Sequence, residues 1–80
     1  MKVLVVDDNL AIRRLLGQLL ERQGISCETA VTGEEALKLC ERSEFAVVIS
    51  DLNMPGMDGV ELARRLKQGW PELVLRFRPK

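Results

Sequence analysis

The chain predicts an α/β fold built on a parallel sheet, and three observations carry that prediction. Residues 1–6 and 45–50 are apolar runs that do not alternate with polar residues, as expected of strands covered on both faces. The stretches between and after them place apolar residues at helical spacing. Strands that alternate with helices form parallel sheets through right-handed crossovers.

The elements follow in order. Lys2–Val6 is the first strand. Asn9 is a good cap for the next helix, in which Ile12, Leu15, Leu16, Leu19 and Leu20 keep helical spacing. Gly24 ends that helix. Gly17 inside it costs roughly 1 kcal/mol against alanine and points to close packing at that position. Residues 25–31 read as a second, weaker strand. Thr32 and Glu35 have the spacing of a capping box, and Ala36, Leu37 and Cys40 form the apolar stripe of the helix behind it. Residues 45–50 form the third strand. Residues 54–59 are a turn-rich loop in which Asp58 caps a third helix running to about Gln68. Gly69, Trp70 and Pro71 stop that helix, and residues 73–77 suit a fourth strand.

The 80 residues form one small domain, with 46% hydrophobic and 30% charged residues, ordinary for a globular chain. A domain of this size buries only roughly 60% of its unfolded surface, so its stability is marginal without help. No apolar run approaches the roughly 20 residues of a membrane span, and residues 1–6 lack the cleavage site of a signal peptide. Cys27 and Cys40 lack metal-ligand spacing and read as buried thiols of a reducing cytoplasm. The absence of histidine excludes a histidine triad, a histidine zinc site and a phosphohistidine on these residues. The net charge of zero hides an asymmetry of −5 over residues 1–62 and +5 over 63–80. Neither a helix-turn-helix pattern nor interleaved aromatics accompanies the basic end, so no DNA-binding domain is expected.

Three carboxylates dominate the chemistry. Asp7 and Asp8 follow the first strand, and Asp51 follows the third. In a parallel sheet with these strands adjacent, all three meet at the carboxyl edge, where ligands of such sheets bind. Three clustered carboxylates repel one another unless a cation lies between them, and Mg²⁺ is the natural hard, oxygen-seeking occupant. A carboxylate beside such an ion can act as a nucleophile towards a phosphoryl group. Asp7 and Asp8 also have a plainer reading as helix caps, which the placement of Asp51 weakens.

Three segments resemble the receiver domain of bacterial two-component response regulators. They are Val-Leu-Val-Val-Asp-Asp-Asn at 3–9, Thr-Gly-Glu-Glu-Ala-Leu at 32–37 and Val-Ile-Ser-Asp-Leu-Asn-Met-Pro-Gly-Met-Asp-Gly at 48–59. The resemblance runs from Met1 to about Glu72. It implies the flavodoxin-like three-layer fold, here with three or four parallel strands in order 2-1-3-4 and three helices. By the same resemblance Asp51 accepts a phosphoryl group from a sensor histidine kinase or phosphotransfer protein. Asp8 binds Mg²⁺ directly, Asp7 helps through water, and Asn53 ligates through its backbone carbonyl.

The family pattern fails after Glu72. The hydroxyl residue that follows its fourth strand has no counterpart, since 76–80 read Arg-Phe-Arg-Pro-Lys. The lysine and switching aromatic of its fifth strand are missing, and Lys80 does not match that lysine. Residues 1–80 therefore read as a single C-terminally truncated receiver domain, with 73–80 a divergent tail that is a swapped or edge strand. Bare apolar surface on the first helix and an open strand edge predict a homodimer, formed through that edge or an exchanged segment. Arg76, Arg78 and Lys80 would then lie against acidic surface of the neighbour. Two functions compete: a phosphoacceptor impaired by truncation, and a receiver-derived dimerisation or protein-binding module without productive phosphotransfer. A haloacid dehalogenase-type phosphatase is disfavoured, because Asn53 stands where that family carries a second aspartate.

Overall fold

The computed structural model describes residues 1–78, in which four strands alternate with three helices. These are β1 (Lys2–Val6), α1 (Leu10–Arg22), β2 (Ser26–Ala30), α2 (Gly33–Arg42), β3 (Val47–Asp51), α3 (Gly59–Gly69) and β4 (Val74–Arg78). The sheet order is β2-β1-β3-β4 and all pairings are parallel. The α/β class, the strand order and the three helices thus agree with the sequence reading.

Alternation along β1 divides the interior. Leu4 and Val6 join the larger core, which α2 and α3 cover with Ala36, Cys40, Leu62 and Leu66. Val3 and Val5 are also buried but lie outside that cluster, consistent with the period-2 alternation of a strand. The second layer is thinner. α1 packs on β1 and β2, yet none of its residues is buried, and Leu15 and Leu19 remain about half exposed at 53% and 48%. The partly uncovered stripe expected of the first helix is therefore present.

The helix ends follow from their caps. Asn9 Oδ1 accepts from the Ala11 and Ile12 amides at 2.9 and 3.2 Å. At the other end of α1, Gly24 has φ +75°. Its amide donates to Glu21 O and that of Ile25 to Leu20 O, both at 3.0 Å, the paired bonds of a Schellman ending. Thr32 Oγ1 accepts from the Glu35 amide at 3.1 Å, while Glu35 Oε1 reaches back to the Val31 amide, one residue earlier than in the standard box. Asp58 Oδ1 accepts from the Glu61 amide at 2.9 Å.

Several expectations need correction. A Cβ at Gly17 would meet nothing within 4 Å, so this glycine serves no close packing. Cys40 is buried, but Cys27 is only half-buried. The third strand begins at Val47, because Phe45 turns into the core before pairing starts, and it includes Asp51 as its last residue. The fourth strand is shifted one residue onward, since Leu73 is a core residue. β4 lies on its own chain's β3, as an edge strand. The turn before it is tied down: Lys67 Nζ donates to Leu73 O at 2.8 Å and the Leu73 amide to Trp70 O at 3.1 Å. Arg78 pairs with Asp7 of its own chain. Arg76 is exposed, and Lys80 lies outside the described residues.

Candidate functional site

The carboxyl ends of β1 and β3 carry the acidic residues to one place. β1 and β3 pair in register from Val3 with Val47 to Val6 with Ser50, so Asp7 and Asp51 leave the sheet side by side. One carboxylate oxygen from each of Asp7, Asp8 and Asp51 lies within 4.8 Å of the others. Asp7 and Asp51 are buried, at 1% and 4% exposure, while Asp8 is open to solvent.

Each buried carboxylate is held by the backbone of its own turn. The Asp7 amide donates to Ala30 O at 3.1 Å, extending the β1–β2 ladder by one bond. Asp7 Oδ1 accepts from the Asn9 amide at 2.9 Å. The Asp7 carbonyl accepts from Arg13 on α1 at 2.8 Å, which fixes the peptide as well as the side chain. Asp51 Oδ1 accepts from the Asn53 amide at 3.1 Å. Ser50 Oγ donates to the Asp51 carbonyl at 3.0 Å. No hydrogen bond among the described residues engages Asp51 Oδ2.

Asp7 Oδ2 accepts from Arg78 at the end of β4. The β3–β4 register sets Arg78 opposite Asp51, so the guanidinium enters from the far side of the acidic group. Three formal negative charges therefore face Arg78 at the carboxylates and Arg13 behind the Asp7 carbonyl, and the remaining negative balance still favours a cation.

The loop after β3 is anchored along its length. Met54 and Met57 are buried in the main core. The Gly59 amide donates to Leu52 O at 3.0 Å. A Cβ on Gly59 would lie 2.7 Å from Leu52 Cα and 3.0 Å from the Asp51 carbonyl, so only glycine lets α3 start this close to the site. The donor set is wholly carboxylate, which suits Mg²⁺ and other hard divalent ions and offers nothing to thiolate- or imidazole-seeking metals.

With this geometry established, a family model described as "Response regulator receiver domain" matches residues 3–76. The chain belongs to the response regulator receiver domain family. Receiver domains are the signal-accepting modules of two-component systems. Among curated relatives, the sensor histidine kinase RcsC of Escherichia coli strain K12 is 44% identical over 68 residues. That alignment covers 85% of this chain but 7% of the relative. The transcriptional regulatory protein ResD of Bacillus subtilis is 40% identical over 67 residues, covering 84% of this chain and 28% of ResD. Among solved structures, Vibrio cholerae chemotaxis protein CheY4 superposes with a TM-score of 0.92 at 36% identity, covering 95% of this chain and 65% of that one. The Thermotoga maritima response regulator TrrA, solved in complex with Mg²⁺ and BeF, gives 0.85 at 37% identity, covering 95% and 64%. This receiver chain thus spans a small part of its curated relatives and just under two thirds of these solved chains.

The three aspartates expected from the sequence, Asp7, Asp8 and Asp51, meet on this edge. Asn53 enters through its amide on Asp51. Sequence reasoning missed Arg13, Ser50 and Arg78. Arg13 lies one turn into α1, where a pairing to a residue before the cap leaves no periodic signal. Arg78 escaped because the strands read as 45–50 and 73–77 pair with the wrong offset and stop one residue short of it.

Proposed function

We propose that this receiver domain is a phosphoacceptor. Asp51 takes a phosphoryl group from the phosphohistidine of a sensor histidine kinase or phosphotransfer protein. Asp7, Asp8, Asp51 and the backbone carbonyl of Asn53 would hold Mg²⁺. The observation that carries this reading is the convergence of three carboxylates at one edge, with Asp51 Oδ1 held by the Asn53 amide and its Oδ2 unengaged among the described residues. The free oxygen attacks phosphorus. An O–P bond forms as the N–P bond to the donor imidazole breaks, and that nitrogen takes a proton from solvent. Mg²⁺ bound here would supply positive charge against the phosphoryl oxygens. Asp51 is positioned by its turn, and the loop behind it is anchored in the core by Met54 and Met57.

We take residues 1–80 as one receiver domain, acting in the cytoplasm as a phosphorylated partner and not as an enzyme in its own right. Among the described residues no helix is long and apolar enough to cross a membrane. Acyl-phosphate labelling from acetyl phosphate tests the reading. Label should appear on the parent in the presence of Mg²⁺ and be absent from Asp51→Asn. Equal labelling of both proteins, or none of either, rules it out.

A second reading, an association module, rests on the half-exposed leucines of α1 and on β4 as an edge strand. It requires no phosphotransfer, and a homodimer is its natural form.

A further inference from the structure

We propose that Arg78 is a resident counter-ion of the acidic site, and that a divalent cation must displace it from Asp7 to bind. This rests on the metal-binding part of the reading above.

Asp7 is among the most buried polar side chains of the domain, and a carboxylate so placed needs its charge offset. Its oxygens are both taken: Oδ1 by the Asn9 amide and Oδ2 by the Arg78 guanidinium. The first bond is local to the turn. The second comes from the edge strand, across 71 residues of sequence. It depends on β4 lying in register with β3, Arg78 opposite Asp51. A divalent ion at the three carboxylates seeks Oδ2 for itself or for a water in its shell, and a metal-bound water is a donor just as the guanidinium is. The guanidinium and the ion repel one another at a shared oxygen, so either the ion or Arg78 holds it. The Arg78 side chain is about one-third exposed, at 34%, which gives the guanidinium an outlet to solvent when it leaves.

The consequence is an exchange. Without metal, the Asp7–Arg78 pair neutralises part of the site and fastens the β4 edge to the β1 end of the sheet. With metal, β4 loses that fastening. The site's metal affinity is therefore set partly by the strength of an internal ion pair, and the end of β4 reports on occupancy.

Isothermal titration of the full chain with Mg²⁺, and separately with Mn²⁺, provides the test. Arg78→Gln keeps the stem and a hydrogen-bond donor but removes the charge. It should bind the metal about three- to fivefold more tightly than the parent, the upper part of the range expected for loss of a partly exposed ion pair. Arg76→Gln removes the same charge from the same strand. Arg76 is exposed and donates only to its neighbour's carbonyl, Leu75 O, so this variant should stay within about twofold of the parent. In metal-free buffer Arg78→Gln should melt below the parent, with the gap narrowing as metal is added. Equal tightening by both variants would assign the effect to overall charge and overturn the exchange. Unchanged or weaker binding by Arg78→Gln overturns it as well, while leaving the metal site standing. Absence of binding in all three proteins removes both the exchange and the metal site on which it rests.

Discussion

Gly59→Ala and Gly17→Ala form a pair of substitutions with opposite predicted signs. At Gly59 the added methyl group would lie 2.7 Å from Leu52 Cα, 3.0 Å from Asp51 O and 3.1 Å from Leu52 O. All three neighbours are backbone, so no flexible side chain can swing away. Relief requires α3 to move off the end of β3, stretching the 3.0 Å bond from the Gly59 amide to Leu52 O. Overpacking of this kind costs about 1–3 kcal/mol. Helix propensity offsets at most about 1 kcal/mol of that, and less at a first helical position. The net expectation is a loss of about 1–2 kcal/mol. At Gly17 the methyl would meet nothing within 4 Å, so only the propensity term remains, a gain of about 0.5–1 kcal/mol. Urea unfolding measures both, with the slope checked for constancy. In a domain of this size each kcal/mol moves Tm by about 4–8 °C, so thermal melts should separate the two variants clearly. Gly59→Ala matching the parent would refute the reasoning, because the start of α3 would then not be fixed by its approach to Asp51 and Leu52.

Other outcomes follow from the same structure. Glu61 is held down from 4.5 to about 2, first by its hydrogen bond from Arg64 and then by that from Arg65. Its folded value is depressed, so its contribution is present above 4.5 and fades as pH falls through about 2. Glu61→Gln should flatten the acid limb of a stability–pH profile, and superimposable acid limbs would count against the cluster. Leu15 and Leu19 predict self-association, each half-exposed side chain still having about half of the roughly 1.5–3 kcal/mol of full burial to gain. Sedimentation over a dilution series should show dimer that Leu15→Glu with Leu19→Lys abolishes. A parent that stays monomeric at every concentration rejects that expectation.

The fold was legible because each element carries its own punctuation. The continuous apolar β1, the caps at Asn9, Thr32 and Asp58, and the helix end at Gly24 all act within a few residues, and those are the distances that sequence patterns report. Boundaries slipped where tertiary packing decided them. Phe45 and Leu73 look like strand residues, yet both turn into the core before pairing begins. Gly17 misled for a related reason. A glycine within a helix signals close approach only if something approaches, and α1 faces no neighbour there.

Two local rules put the three aspartates within reach of inference: strands end in turns, and parallel strands end at the same edge. Arg78 obeys the second, since it ends β4 at the same edge, but that rule helps only once the end and register of β4 are known. Counted as composition it belongs to a basic end with net charge +5, where the ordinary fate of a cation is solvent or a partner. What assigns it to the site is the register of β4 on β3, which sets position 78 opposite Asp51 and its guanidinium on Asp7. One residue of slippage would send this side chain to the opposite face of the sheet. Phe77 would then take its place beside the carboxylates, and the charge balance of the site would change by a full unit. The acidic half of the site is therefore a property of local sequence, whereas its counter-charge is a property of strand pairing. Any change that disturbs the β3–β4 ladder, even far from the aspartates, should alter cation binding before it alters the fold.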